Sequence, residues 1–156
     1  ILGQFRQGFQ QTRRAFLLEP TDVGLPFCVS TPNSLGQSAS ITATGSTSVA
    51  ASDLILQADG VPNGAGVFFL GTSAAQVPLG NGNRCVGGSL RRLGPVVNAA
   101  GNVATLRFDA QASGVTAGET RFFQLWYRDA AAGGAFFNLT DGIRVDFGQC
   151  PLSVSR

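Results

Sequence analysis

The chain has no histidine, no lysine and no methionine, and only 13% of its residues are charged. Without histidine there is no Ser-His-Asp or Cys-His apparatus and no imidazole base. A zinc site would have to use all three cysteines as thiolates plus a carboxylate, and Cys28, Cys85 and Cys150 form no CxxC pair. The nine acids fall mostly in turns or at outward strand positions, and none sits in an apolar run as a glycosidase pair would. The acidic turns at Asp129, Asp141 and Asp146 lack DxDxDG spacing, so they read as turn-capping and surface aspartates rather than calcium ligands. These absences predict a protein that is not an enzyme and carries no cofactor.

All eleven basic residues are arginine, scattered apart from the pairs Arg13–Arg14 and Arg91–Arg92, and the net charge is only +2. A nucleic-acid binder would show a basic stripe with stacking aromatics, so no nucleic-acid partner is expected. No run approaches the ~20 apolar residues of a membrane helix, and no membrane span is expected. A chain that opens at Ile1 without any methionine is expected to be processed, by removal of a signal peptide or as part of a longer protein. The expected location is therefore extracellular.

What is present is β-forming. With 156 residues, 44% of them hydrophobic, the chain is long enough for one domain with a substantial core. Its 21 glycines and low charge favour tight turns over solvated helices. "SDLILQADG" puts Leu54, Leu56 and Ala58 on one face, and "NVATLRFDA" puts Ala104, Leu106 and Phe108 inward. "GIRVDFG" alternates most cleanly, with Ile143, Val145 and Phe147 in and Arg144 and Asp146 out. "GAGVFFLGT" is apolar on both faces, and "SASITATG" is small and β-branched. Turn signals such as "VPNGAG", "LGNGN" and "TDG" separate these runs. The pattern predicts an all-β antiparallel sandwich, jelly-roll or Ig-like, over residues 28–149.

Residues 1–27 differ. Ile1, Phe5 and Phe9 lie four apart, a helical spacing with Leu2 beside them, and "RRAFLLEP" brings Phe16, Leu17 and Leu18 into an extended segment stopped by Pro20. Such an N-terminal arm either packs on its own domain or completes a neighbour's sheet by strand addition. Residues 150–156 form a C-terminal tail. In a secreted chain the three cysteines make one disulfide and leave one thiol over, and three pairings are open.

"RFFQLWYRD" holds the only tryptophan and the only tyrosine. Phe123, Leu125 and Tyr127 fill one face and read as core. The other face carries Phe122, Gln124, Trp126 and Arg128, which serve either as a sugar-stacking platform or as a layer beneath a loop. Arg128 is a candidate to pair with a turn aspartate. Asn138 in "NLT" is a formal glycosylation sequon, read as turn chemistry.

The stretches "FCVSTPNSLGQSASITATGS", "GNRCVGG", "RFFQLWYRD" and "FFNLTDGIRVDF" resemble a group of secreted bacterial domains. In that group a YCxSTPNS-like start precedes a CVGG turn, then FQxWYRD, then an N[FL][ST]DG turn before the last strand. The resemblance spans about Cys28 to Phe147 and implies a secreted sandwich with no assigned catalytic residue. It also implies a Cys28–Cys85 disulfide with Cys150 left over. Phe27 stands where the group has tyrosine, and the arm and the tail "CPLSVSR" are additions. These additions direct the functional expectation to assembly: a homo-oligomer or homopolymer, a subunit of a surface fibre or layer joined through its arm. The alternative is an adhesive module for a polysaccharide partner, working through the outer face of the Trp126 strand.

Overall fold

A computed structural model describes residues 22–148; the arm residues Ile1, Leu2, Phe5, Phe9, Phe16, Leu17 and Leu18, and also Cys150, lie outside them. The described chain is built of strands: β1 (Asp22–Val23), β2 (Leu25–Phe27), β3 (Ser40–Thr44), β4 (Leu54–Asp59), β5 (Gly64–Gly71), β6 (Ser73–Leu79), β7 (Gly82–Gly87), β8 (Arg91–Ala99), β9 (Val103–Phe108), β10 (Thr120–Arg128), β11 (Phe137–Leu139) and β12 (Gly142–Asp146). One sheet runs β1-β3-β4-β9, and a larger one runs β2-β12-β10-β5-β8 with β11 also on β10. The strand pairings are antiparallel. The expected all-β antiparallel sandwich is therefore present.

The alternation read from the sequence sets the core. Ile41 and Ala43 of β3, Leu54, Leu56 and Ala58 of β4, and Ala104 and Phe108 of β9 face Phe68 and Leu70 of β5, Phe123, Leu125 and Tyr127 of β10, and Ile143 and Val145 of β12. Phe123 meets Phe108 edge-on, with ring centroids 5.0 Å apart. Burying each such side chain stabilises the fold by about 1.5–3 kcal/mol relative to exposure. Phe123→Ala would leave a cavity in this packing and cost about 3–5 kcal/mol.

Residues 22–27, the last part of the stretch read as an arm, pair in the sheets as β1 and β2. Asp22 and Val23 add to β3, while Leu25, Pro26 and Phe27 add to β12. The chain changes sheet at Gly24, where φ is +84° and a Cβ would come within 2.7 Å of the Arg144 carbonyl. Glycine meets both demands.

The hairpin β6–β7 adds a third layer. It belongs to neither main sheet and lies against the outer face of the larger one, where the Cys85 N–H donates to Gln124 Oε1 over 2.9 Å. A disulfide joins Cys85 of this hairpin to Cys28, with Cα atoms 5.9 Å apart. This is the pairing that the resemblance implied.

On the other side of β10, β11 and β12 act as one strand broken by a bulge. Trp126 pairs with Leu139, yet Phe123 pairs with Ile143, so the β11–β12 side carries one extra residue in between. Thr140 fills the interrupted ladder: its N–H donates to the Leu125 carbonyl over 3.0 Å, and its Oγ1 accepts the Leu125 N–H at 3.1 Å.

Candidate functional site

The four motifs meet at one end of β10. The loop that follows Cys28 is held by its own side chains. Asn33, buried, accepts the Leu35 N–H on Oδ1 at 2.9 Å, the turn geometry that asparagine favours. Its Nδ2 donates to the Gly60 carbonyl at 2.8 Å and to the Tyr127 hydroxyl at 3.1 Å. The next residue, Ser34, donates its N–H to Asp129 Oδ2 at 2.9 Å. "STPN" and "WYRD" thus interlock through Asn33–Tyr127 and Ser34–Asp129.

The remaining motifs join the same network. Thr31 Oγ1 donates to the Asn81 carbonyl at the hairpin tip over 2.7 Å. Asn138 lies in β11 rather than in a turn; fully buried, it donates to Thr31 Oγ1 at 3.2 Å. Asp141 Oδ1 accepts the Ile41 N–H at 2.9 Å and ties the larger sheet to the smaller one. Burial raises the Asp141 carboxyl above its ordinary value, partly offset by that hydrogen bond. Burial likewise pushes the Tyr127 hydroxyl up to about 12, which keeps it neutral.

The outer face of β10 brings Phe122, Gln124, Trp126 and Arg128 into one row, as the alternation requires, and gives three of them partners within the molecule. Gln124 is fully buried. Beyond the bond it accepts from Cys85, its Nε2 donates to the Asn83 carbonyl at 2.9 Å and to the Thr140 carbonyl at 2.5 Å. Its amide clips hairpin, strand and bulge together, and its full burial keeps it out of a ligand's reach. Trp126 packs on Phe137 with ring centroids 5.2 Å apart, and Phe122 meets Phe27 edge-on at 5.4 Å. Arg128 is exposed.

The expected pairing of Arg128 with a turn aspartate is not formed. The ion pairs among the described residues are Arg121–Glu119 and Arg144–Asp146. Asp129, next in the chain, is turned inward and only 2% exposed. Successive residues of an extended chain point to opposite sides, which separates the two. Asp129 Oδ1 is buried without a hydrogen-bond partner among the described residues. A shallow depression of about 230 Å³ lies beside it, lined also by Ser34, Asn63 and Arg128.

Among the described residues no three of His, Cys, Asp and Glu stand close enough to hold a metal ion, and no helix is long and apolar enough to cross a membrane. Sequence reading found the cysteines and the strand faces. It missed Asn33, Thr140 and Asp141 as network members, because each looks like an ordinary turn residue until its distant partner is known. No family model, curated protein or solved structure matches the chain.

Proposed function

We propose that the protein is a non-enzymatic extracellular structural subunit, which assembles with copies of itself into a surface fibre or layer through its N-terminal arm. One observation carries this reading. The described chain enters through β1 and β2, which are the outermost strands of the two sheets on one flank. The segment before Asp22, whose sequence carries Ile1, Leu2, Phe5, Phe9, Phe16, Leu17 and Leu18, therefore joins the body beside two sheet edges. Strand addition at an open edge is a general route to assembly. The disulfide supports an oxidising, extracellular location.

The alternative, polysaccharide adhesion through the outer row of β10, draws less support, since Gln124 is enclosed and Trp126 and Phe122 have aromatic partners. Electron microscopy and sedimentation of the full chain test the assembly reading. Polymers or a discrete oligomer are expected for the natural sequence, and their loss for a Phe5→Asp, Phe9→Asp double variant. A natural chain that stays monomeric at high concentration overturns the proposal.

A further inference from the structure

At the end of the sandwich bordered by the loop between β9 and β10, two arginines occupy positions that belong to the core row. Arg91 of β8 pairs with Leu70 of β5, and Arg121 of β10 pairs with Val145 of β12. Directly opposed residues in an antiparallel ladder project from the same face. Leu70 and Val145 are buried in the core, so both arginines project from the inner face of the larger sheet. They line one depression of about 380 Å³ together with Leu70, Thr72, Ser89 and Leu90. That volume lies within the range of about 300–1,000 Å³ usual for small-ligand sites.

Each guanidinium is steadied by a contact that leaves donors over. Arg91 donates to the Ser113 carbonyl at 2.9 Å. Arg121 donates to the Thr120 carbonyl at 2.9 Å and to Glu119 Oε1 at 3.2 Å. A guanidinium has five N–H donors in a planar fork suited to two-point recognition of an oxyanion. Among the described residues Arg91 has no acidic partner, and Glu119 balances only one of the two charges. Leu90, 47% exposed, gives an apolar wall against which the C–H face of a sugar ring can lie, and Thr72 and Ser89 bring hydroxyls to the same wall.

We propose that this depression binds an anionic polysaccharide, with the carboxylate or sulfate of one sugar unit held between Arg91 and Arg121. The site lies on the opposite face of the larger sheet from the outer row of β10, and the inference does not depend on self-assembly.

Affinity electrophoresis of the full chain, in gels containing polygalacturonate, dextran sulfate or neutral dextran at low salt, tests it. The two charged polymers distinguish carboxylate from sulfate recognition, and retardation by either supports the site. Arg91→Gln should weaken that retardation at least about tenfold, through loss of a charge-assisted contact. Arg92→Gln removes the same charge from the opposite face of β8 and should change it less than about twofold, because exposed charges act weakly at a distance. Arg121→Gln should match Arg91→Gln, provided its thermal unfolding stays close to that of the natural chain. Equal losses for Arg91→Gln and Arg92→Gln would assign the effect to general charge and overturn the site. So would equal retardation by neutral dextran, or none by either acidic polymer. Self-association abolished by Arg91→Gln without any polymer effect would assign the pocket to a carboxylate of a second copy, and would overturn the polysaccharide reading.

Discussion

Asp141 shows how one turn residue serves two purposes. Its carboxylate caps the Ile41 N–H across the gap between sheets, and its burial raises the carboxyl pKa above 3.8. A carboxyl whose folded pKa exceeds its unfolded value favours folding while protonated, and that advantage disappears as pH rises through the folded pKa. Asparagine at this position keeps an oxygen for the Ile41 N–H and carries no charge to bury. Asp141→Asn should therefore gain stability relative to the natural chain as pH rises from about 3 to 7, because burial shifts the ionisation of the carboxyl upward. Asp141→Ala leaves the Ile41 N–H without its partner and should lose about 1–3 kcal/mol at either pH. Urea unfolding at the two pH values measures both. A Asp141→Asn variant whose stability relative to the natural chain falls over this pH range would mean that the carboxylate, not the neutral acid, is the favoured form.

At the scale of elements, the β6–β7 hairpin is the piece that has to be fastened. Its strand β6 is exposed along nearly its whole length, so the apolar burial of the hairpin comes from Cys85 and Val86 of β7. The fastening comes from Gln124, from the contacts at Asn81, and from a disulfide that closes a span of 57 residues. The chain-entropy account assigns about 4 kcal/mol to a loop of this length. Replacing Cys28 and Cys85 with serine should cost about 2–4 kcal/mol in urea unfolding. The hairpin should show the largest rise in amide exchange, ahead of β4 and β10. Uniform exchange across all strands would show that the hairpin does not open independently. The same element explains what the sequence conceals. β4, β9 and β12 were legible because half of each strand lies in the core and writes a period of two. "SAAQVPL" has no such period, since β6 buries neither face and is positioned by its ladder to the next strand, β7, which the Gln124 amide and the disulfide fasten to the rest of the molecule. Gln124, Trp126 and Phe122 were correctly placed on one row, but nothing local says that a hairpin covers it. Arg121 was equally hidden. It stands two residues before Phe123, in phase with the core row, and only the register to Val145 shows that it projects inward.

For the whole molecule, the question is whether folding and assembly can be separated. The core cluster draws its buried side chains from residues 39–147, and the arm precedes strands that already occupy the sheet edges. If the arm acts between copies, its apolar residues stabilise the assembly and contribute little to an isolated subunit. The Phe5→Asp, Phe9→Asp variant should then unfold within about 2 °C of the natural chain measured at a dilution where both are monomeric, since an effect below 1 kcal/mol shifts a domain of this size by no more than a few degrees. Concentrating the natural chain should raise its melting temperature by mass action, because the assembled form binds only folded subunits. The variant should show no such rise. An arm folded back on its own sandwich predicts the reverse: a lower melting temperature for the variant at every concentration, and no concentration dependence for either chain. Calorimetry over a hundredfold concentration range distinguishes the two outcomes without any knowledge of the shape of the assembly.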